Sequence, residues 1–370
     1  MRIVFSTDQV YLHGGIEKVM AEKANYFADV LGYEVFILTA EQKGNVPCYP
    51  LSSKINFVDL NVNYHRDKSY FSSINVVKLP THIVNLRKAL IEINPNIVIV
   101  CNFSFDYYIM PFLYTKAKKW KEFHSSRFFH DQNRKNTKSF IKQIINKFND
   151  WIETKYDKII LLNPDEKAFY YSQNCVVIPN PIAVTDGVEA SLSSNKVLAA
   201  GRIAPVKGFE QLIEAWRLVV DKHPSWELHI FGDDYLNTQE KLQSQIIQSN
   251  LEKNVFFMGT TDQMSLTMLD YSLYLMTSHT ECFPMVLLES LSVGLPIVSF
   301  DCPTGPRNII TNHVDGVLVA NNNIGEFAQS VCCFIENKEL RVNFGKHAKV
   351  NSLRFSTPLI MEKWQKLISK

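Results

Sequence analysis

The sequence has no uninterrupted apolar run of the roughly 18 residues that a membrane-crossing helix needs. Its opening, Met1-Arg2 followed by IVFST, lacks an apolar stretch ending in a small-residue cleavage site, so no secretory signal is expected and the location is read as cytoplasmic. Cysteine is sparse and scattered: seven residues, an odd number, with no Cys-x-x-Cys pair. That excludes a disulfide scaffold and argues against structural zinc. Glycine and proline, at 14 and 15, show no excess, which excludes collagen-like and low-complexity classes. No G-x-G-x-x-G follows the first predicted strand, so dinucleotide binding lacks its fingerprint. No aromatic platform is interleaved with the lysines, which argues against nucleic acid.

What is present is a chain of 370 residues, too long for one ordinary core, so two domains are expected. The net charge of +2 is unevenly spread: residues 1–182 carry 23 Lys/Arg against 17 Asp/Glu, and the remainder 16 against 20. A basic first half and an acidic second half suggest different partners. Both halves have one rhythm. RIVFST, YEVFILTA, the IVIV of NLRKALIEINPNIVIVCN and DKIILLN read as strands, separated by amphipathic or turn-forming stretches. KVLAAGRI, WELHIFGD, VFFMG, YSLYLMTS and GLPIVSFD repeat the pattern. In FEQLIEAWRLVVDKHP, Phe209, Leu212, Ile213, Trp216, Val219 and Val220 recur at helical spacing. Strands alternating with helices predict an α/β fold of two doubly wound, Rossmann-like domains, 1–182 and 183–355, with a last helix over 356–370 crossing back to the first. The seam lies in the Pro-, Ser- and Asn-rich stretch 176–195. Ligands of such sheets bind beyond the carboxyl ends of strands, so the chemistry is expected in a cleft between the two domains.

The strand ends carry the candidate residues. In GRIAPVKGFEQL, Gly201 closes a strand, and Arg202 and Lys207 follow within one turn. A planar guanidinium and a movable ammonium together match a diphosphate. In TSHTECFPMVLLES, Glu281 lies in the loop after a strand, and Pro284 suits the start of a helix reaching about Gly294. Free amides from about Phe283 through Pro284 and Met285 to Val286, apart from the proline, would attract a phosphate. Glu289, a turn or more along, could accept both hydroxyls of a ribose, with Glu281 near what the phosphates carry. The plain alternative makes both acids helix and surface residues. Cys282 reads as an apolar filler, not a nucleophile. HGGIEK sets Gly14 and Gly15 where backbone can approach a ligand, although ordinary turns look the same. His124 ends a short strand, WKEF, and could position a sugar hydroxyl or help move a proton. Residues 116–147 hold ten Lys/Arg opposed only by Glu122 and Asp131. Within 116–152, SFIKQIINKFNDWI has an apolar stripe: Phe140, Ile141, Ile144, Ile145, Phe148, Trp151 and Ile152. Two readings stand: a helix packed on the sheet by that stripe, or a basic amphipathic helix on the inner face of an anionic membrane.

GGIEKV, GRIAPVKGFEQLIEAW, ECFPMVLLESLSVGLPIVS and CPTGPRNII, in this order, resemble the glycogen-synthase-like (family 4) retaining glycosyltransferases with the GT-B fold. Glu281 and Glu289 look like that family's E-x7-E signature. The resemblance runs over nearly the whole chain and is tightest in 196–316. It implies an enzyme that moves a hexose from a nucleotide sugar, a UDP-sugar by family habit, to a glycan or undecaprenyl-linked acceptor in surface polysaccharide or lipopolysaccharide biosynthesis. It implies no cofactor and no metal: Arg202 and Lys207 would hold the diphosphate, Glu289 the ribose, Glu281 and His124 the donor sugar, and Gly15 the phosphates. The first domain would bind the acceptor. Asn308 stands where relatives usually carry an acid. A nucleotide-sugar epimerase and a non-catalytic nucleotide-sugar-binding protein are the competing readings.

Overall fold

The computed structural model describes residues 1–113, 116–185 and 187–369; Asp186 of the seam and Lys370 of the expected last helix lie outside them. The chain divides into two units, Met1–Pro181 with Met361–Lys370, and Ile182–Ile360. The second division falls inside the last helix, Thr357–Ile368.

The first unit is built on seven parallel strands: β1 Arg2–Thr7, β2 Glu34–Thr39, β3 Asn56–Asp59, β4 Ile97–Val100, β5 Lys118–Glu122, β6 Lys158–Leu161 and β7 Cys175–Val177. Their order is β3-β2-β1-β4-β5-β6-β7. The IVIV of β4 is buried throughout, as a strand covered on both faces requires. The helix Gly15–Asp29 packs Val19, Met20, Ala24, Phe27 and Ala28 inward. Lys23 lies on that same buried face, and its ammonium is bound by both oxygens of Glu122 at the end of β5. Trp364, from the last helix, caps the pair 4.8 Å from the Lys23 nitrogen. Trp364 also meets Phe27 and Trp120.

Two expectations change in this unit. The basic run 116–147 is only partly a surface. Lys119 and Lys121 are buried on β5, and Lys121 donates to the carbonyls of Val100 (3.1 Å) and Glu122 (2.6 Å). Burial lowers the Lys121 pKa to about 8. Arg127 pairs with Glu153 and lies over the rings of Phe123 and Tyr170. A parallel sheet wrapped on both sides buries whatever its strands carry, lysines included. The second change concerns the helix Phe140–Glu153. The packing reading fails, because its apolar stripe points outward; of the helix only Ile152 and Glu153 are buried.

The second unit has six parallel strands: β8 Lys196–Ala200, β9 Glu227–Phe231, β10 Val255–Gly259, β11 Leu273–Met276, β12 Ile297–Phe300 and β13 Gly316–Val319. Their order is β10-β9-β8-β11-β12-β13. The helix Phe209–Val220 buries Phe209, Leu212, Ile213, Trp216 and Val219, the stripe its spacing predicts. Trp216 donates its indole N–H to the Asn254 carbonyl (3.1 Å), so the largest side chain of this face carries no unmet polar group.

Candidate functional site

In the second unit the strand order reverses direction between β8 and β11. The chain leaves β8 for one side of the sheet and β11 for the other, which opens a crevice at their carboxyl ends. The register Val197↔Leu273 and Leu198↔Tyr274 sets the two exits level. Gly208 makes this close approach. It sits at φ +63°, and a Cβ there would lie 2.2 Å from the Thr277 carbonyl oxygen. Thr277 donates its hydroxyl to the Gly208 carbonyl (2.9 Å), and the His279 amide donates to the Val206 carbonyl (2.9 Å). These bonds bring the predicted cation and the predicted acid together. The Lys207 ammonium lies 2.6 Å from a Glu281 oxygen, which also accepts from the Ser278 hydroxyl (2.8 Å). Arg202, just after β8, is exposed and rests over the Tyr235 ring at 4.7 Å.

Glu281 is fixed from behind by its backbone. Its carbonyl accepts from the amides of Thr304 (2.7 Å) and Gly305 (2.8 Å), and its own amide donates to the Pro303 carbonyl (2.8 Å). The CPTGP segment is thus the bed on which the acidic loop lies. A side chain at Gly305 would press on Pro284 and Cys282, 2.8 and 3.0 Å from its Cβ. Asn308 donates its amide to the Thr304 carbonyl (2.8 Å), a bond a carboxylate could not make.

The predicted helix exists, over Met285–Ser292, with Pro284 as an extended cap. Leu287 already donates to the Pro284 carbonyl, leaving the Met285 and Val286 amides as the first-turn donors without helical partners. Phe283 is buried against Phe355, so it anchors the helix start. Cys282 is buried too. Glu289 is buried on the second turn. The hydroxyl of Tyr274, on β11, donates to the Ala200 carbonyl at the end of β8 (3.1 Å). Burial raises its pKa, and the charges of Glu281 and Glu289 raise it further, so both acids border the same strand ends.

The first unit holds its own cavity, about 460 Å³, lined by Asp8, Glu17, Arg66, Lys121, His124 and Arg127 among others. His124 lies there, its Nε2 3.6 Å from Glu122. Burial lowers its pKa against the pull of that carboxylate, so the imidazole is neutral at pH 7. Gly14 is the extended cap of the first helix, and Gly15 its first residue. The loop before them is gathered by Gln9, whose side-chain oxygen accepts from the Tyr11 and Leu12 amides (2.6 and 2.7 Å). The sequence reading passed over Asp8, although it directly follows β1. Burial raises the pKa of Asp8, opposed by hydrogen bonds from Tyr70 and Asn102. Glu41 and Arg66 were missed as well; they pair at 2.7 Å beside it. Their positions in loops gave no periodic signal. Among the described residues no three His, Cys, Asp or Glu side chains converge to hold a metal ion. Among them, too, no helix is long and apolar enough to cross a membrane.

Comparison with known proteins agrees with this architecture. Residues 187–351 match the family described as glycosyl transferases group 1. An uncharacterized glycosyltransferase of Haemophilus influenzae is 28% identical over 364 residues, 96% of this chain and 96% of its own length. The poly(ribitol-phosphate) alpha-N-acetylglucosaminyltransferase of Staphylococcus aureus is 29% identical over 237 residues, 64% of this chain but only 47% of that protein. A mutant of S. aureus TarM, solved with fondaparinux, alpha-GlcNAc-glycerol and UDP, superposes with a TM-score of 0.82 at 18% identity, covering 100% of both chains. Two parallel sheets of this order and the superposition over the whole chain give the protein the GT-B fold, and its second unit is similar to the group 1 glycosyl transferases.

Proposed function

We propose that the protein is a retaining hexosyltransferase that moves a sugar from UDP to a glycan or undecaprenyl-linked glycan acceptor of the bacterial surface. One observation carries the reading: the Lys207–Glu281 pair of 2.6 Å at the point where the second sheet reverses, beside the open start of the Met285–Ser292 helix. A leaving diphosphate gains charge as the glycosidic bond breaks. Arg202, Lys207 and the Met285 and Val286 amides supply positive charge at that place without a metal. Glu289 takes the ribose hydroxyls, and Glu281 stays by the sugar once the phosphates draw Lys207 away. The acceptor enters the first unit, where Asp8, Glu17 and neutral His124 offer acceptors and donors for sugar hydroxyls. TarM, with UDP in its crystal, supports the choice of nucleotide.

The test is a thermal-shift screen with UDP, GDP and ADP, followed by assay of UDP release from UDP-sugars with and without glycan acceptors. A melting temperature raised by UDP and UDP release that requires acceptor support the proposal. An epimerised sugar nucleotide from donor alone, or UDP binding with no turnover on any acceptor, would replace it.

A further inference from the structure

The helix Phe140–Glu153 is mounted with its polar side inward. The Tyr107 hydroxyl, buried in the first unit, donates to the Asn149 carbonyl (3.1 Å) and to Glu153 (3.0 Å). Arg127 also binds Glu153, and Arg134 binds Asp150 (2.7 Å). Both acids of the helix are therefore neutralised against the protein. The opposite side carries Phe140, Ile141, Ile144, Ile145, Phe148 and Trp151, between 46% and 74% exposed. The apolar surface continues beyond the helix. Phe112, 51% exposed, stacks on Trp151 at 5.6 Å, and Tyr108 stacks on Phe148 at 6.1 Å. Globular proteins rarely leave so large a contiguous apolar face to water.

Charge identifies what covers it. Lys138, Lys142 and Lys147 border the stripe, exposed, and among the described residues none of them pairs with a carboxylate. Beside the stripe a cavity of about 690 Å³ is lined by His130, Arg134, Lys138, Lys142, Ile145 and amide and hydroxyl side chains, with no carboxylate. A greasy face rimmed by unpaired cations, next to a basic hollow, matches acyl chains below a layer of phosphates. The helix has 14 residues, spanning about 21 Å, short of the ~30 Å hydrocarbon core, so it can only lie along the surface. We propose that this helix docks the protein on a bilayer of anionic phospholipid, with Phe140, Ile144 and Phe148 in the acyl boundary and lipid phosphates in the neighbouring hollow. The proposal is independent of the donor site in the second unit.

The test uses the full chain and vesicles of phosphatidylcholine alone or with phosphatidylglycerol added. Wild-type protein partitions onto the anionic vesicles about tenfold or more above the neutral ones, and raised salt weakens that binding. Ile144→Asp with Phe148→Asp abolishes it, while circular dichroism and melting temperature stay at wild-type values because both positions face outward. The triple change Lys138→Glu, Lys142→Glu, Lys147→Glu, on exposed side chains only, abolishes it as well and serves if the first variant misfolds. Binding that neither variant reduces, or no preference for anionic vesicles, overturns the proposal. So does a wild-type dimer in analytical ultracentrifugation that Ile144→Asp with Phe148→Asp converts to monomer, since a second copy would then cover the face.

Discussion

Replacing Lys23 by Met removes one member of a pair whose side chains are each 1% exposed. Glu122 would remain, a carboxylate sealed in the first unit with neutral His124 at 3.6 Å and the Lys121 ammonium turned to its backbone carbonyl. Breaking a buried pair in this way costs about 3–5 kcal/mol. Loss of the ammonium over the Trp364 and Phe5 rings, at 4.8 and 5.8 Å, adds to that by about 1 kcal/mol. Against a typical stability of about 5–15 kcal/mol the deficit is large, and it lowers the unfolding midpoint of this unit by about 10 °C. Its pH dependence is diagnostic. In the wild type, burial pushes the Glu122 pKa up, but Lys23 and then His124 outweigh burial and hold it well below the usual range. Without Lys23 burial prevails, so the folded variant holds a proton that the unfolded chain, with an ordinary carboxyl near about 4.3, releases. The folded form then binds more protons, and the variant gains stability as pH falls from 8 towards about 5. Urea unfolding followed by tryptophan fluorescence at both ends of that range measures this. Lys23→Met with Glu122→Leu recovers most of the loss. A deficit below about 1 kcal/mol, or one that grows towards acid, would refute the account.

Lys207→Ala and Arg202→Ala each reduce turnover in a UDP-release assay by the equivalent of about 2–4 kcal/mol of transition-state stabilisation; unchanged turnover in both removes the phosphate assignment. Gly208→Ala destabilises the second unit by about 3 kcal/mol or more in denaturant titration, because its Cβ meets the Thr277 carbonyl oxygen and φ is +63°. Lys121 titrates at about 8 when folded and at about 10.4 when unfolded. Between those values the unfolded chain holds the extra proton, so wild-type stability rises with pH relative to Lys121→Met, by about 2 kcal/mol from pH 8 to about 9.5. Parallel curves for the two proteins would contradict that.

The repeating strands and the helix at 209–220 are legible in the sequence because each buries a face whose period is local. The meeting of Lys207 with Glu281 depends on strand order, which brings residues 74 apart in sequence to 2.6 Å. Spacing places both at strand ends and says nothing of their contact. Counting lysines misjudged the first half for a related reason. Charge in a sequence is a tally by residue, whereas Lys23, Lys119 and Lys121 are buried by a sheet that assembles from distant segments. The stripe of residues 140–152 shows that a helix has two sides; which of them meets the protein is settled by Tyr107, Arg127 and Arg134, none of them predictable partners from periodicity.

Trp364 belongs to the core of a unit that residues 1–181 begin and the end of the last helix completes, so most of that unit is synthesised far earlier. While the ribosome is still making the middle of the chain, Phe27 and Trp120 lack their indole neighbour and Lys23 lacks its aromatic cover. The first unit is therefore finished only once the last helix has been made, and a fragment ending at residue 181 lacks every contact that Trp364 supplies.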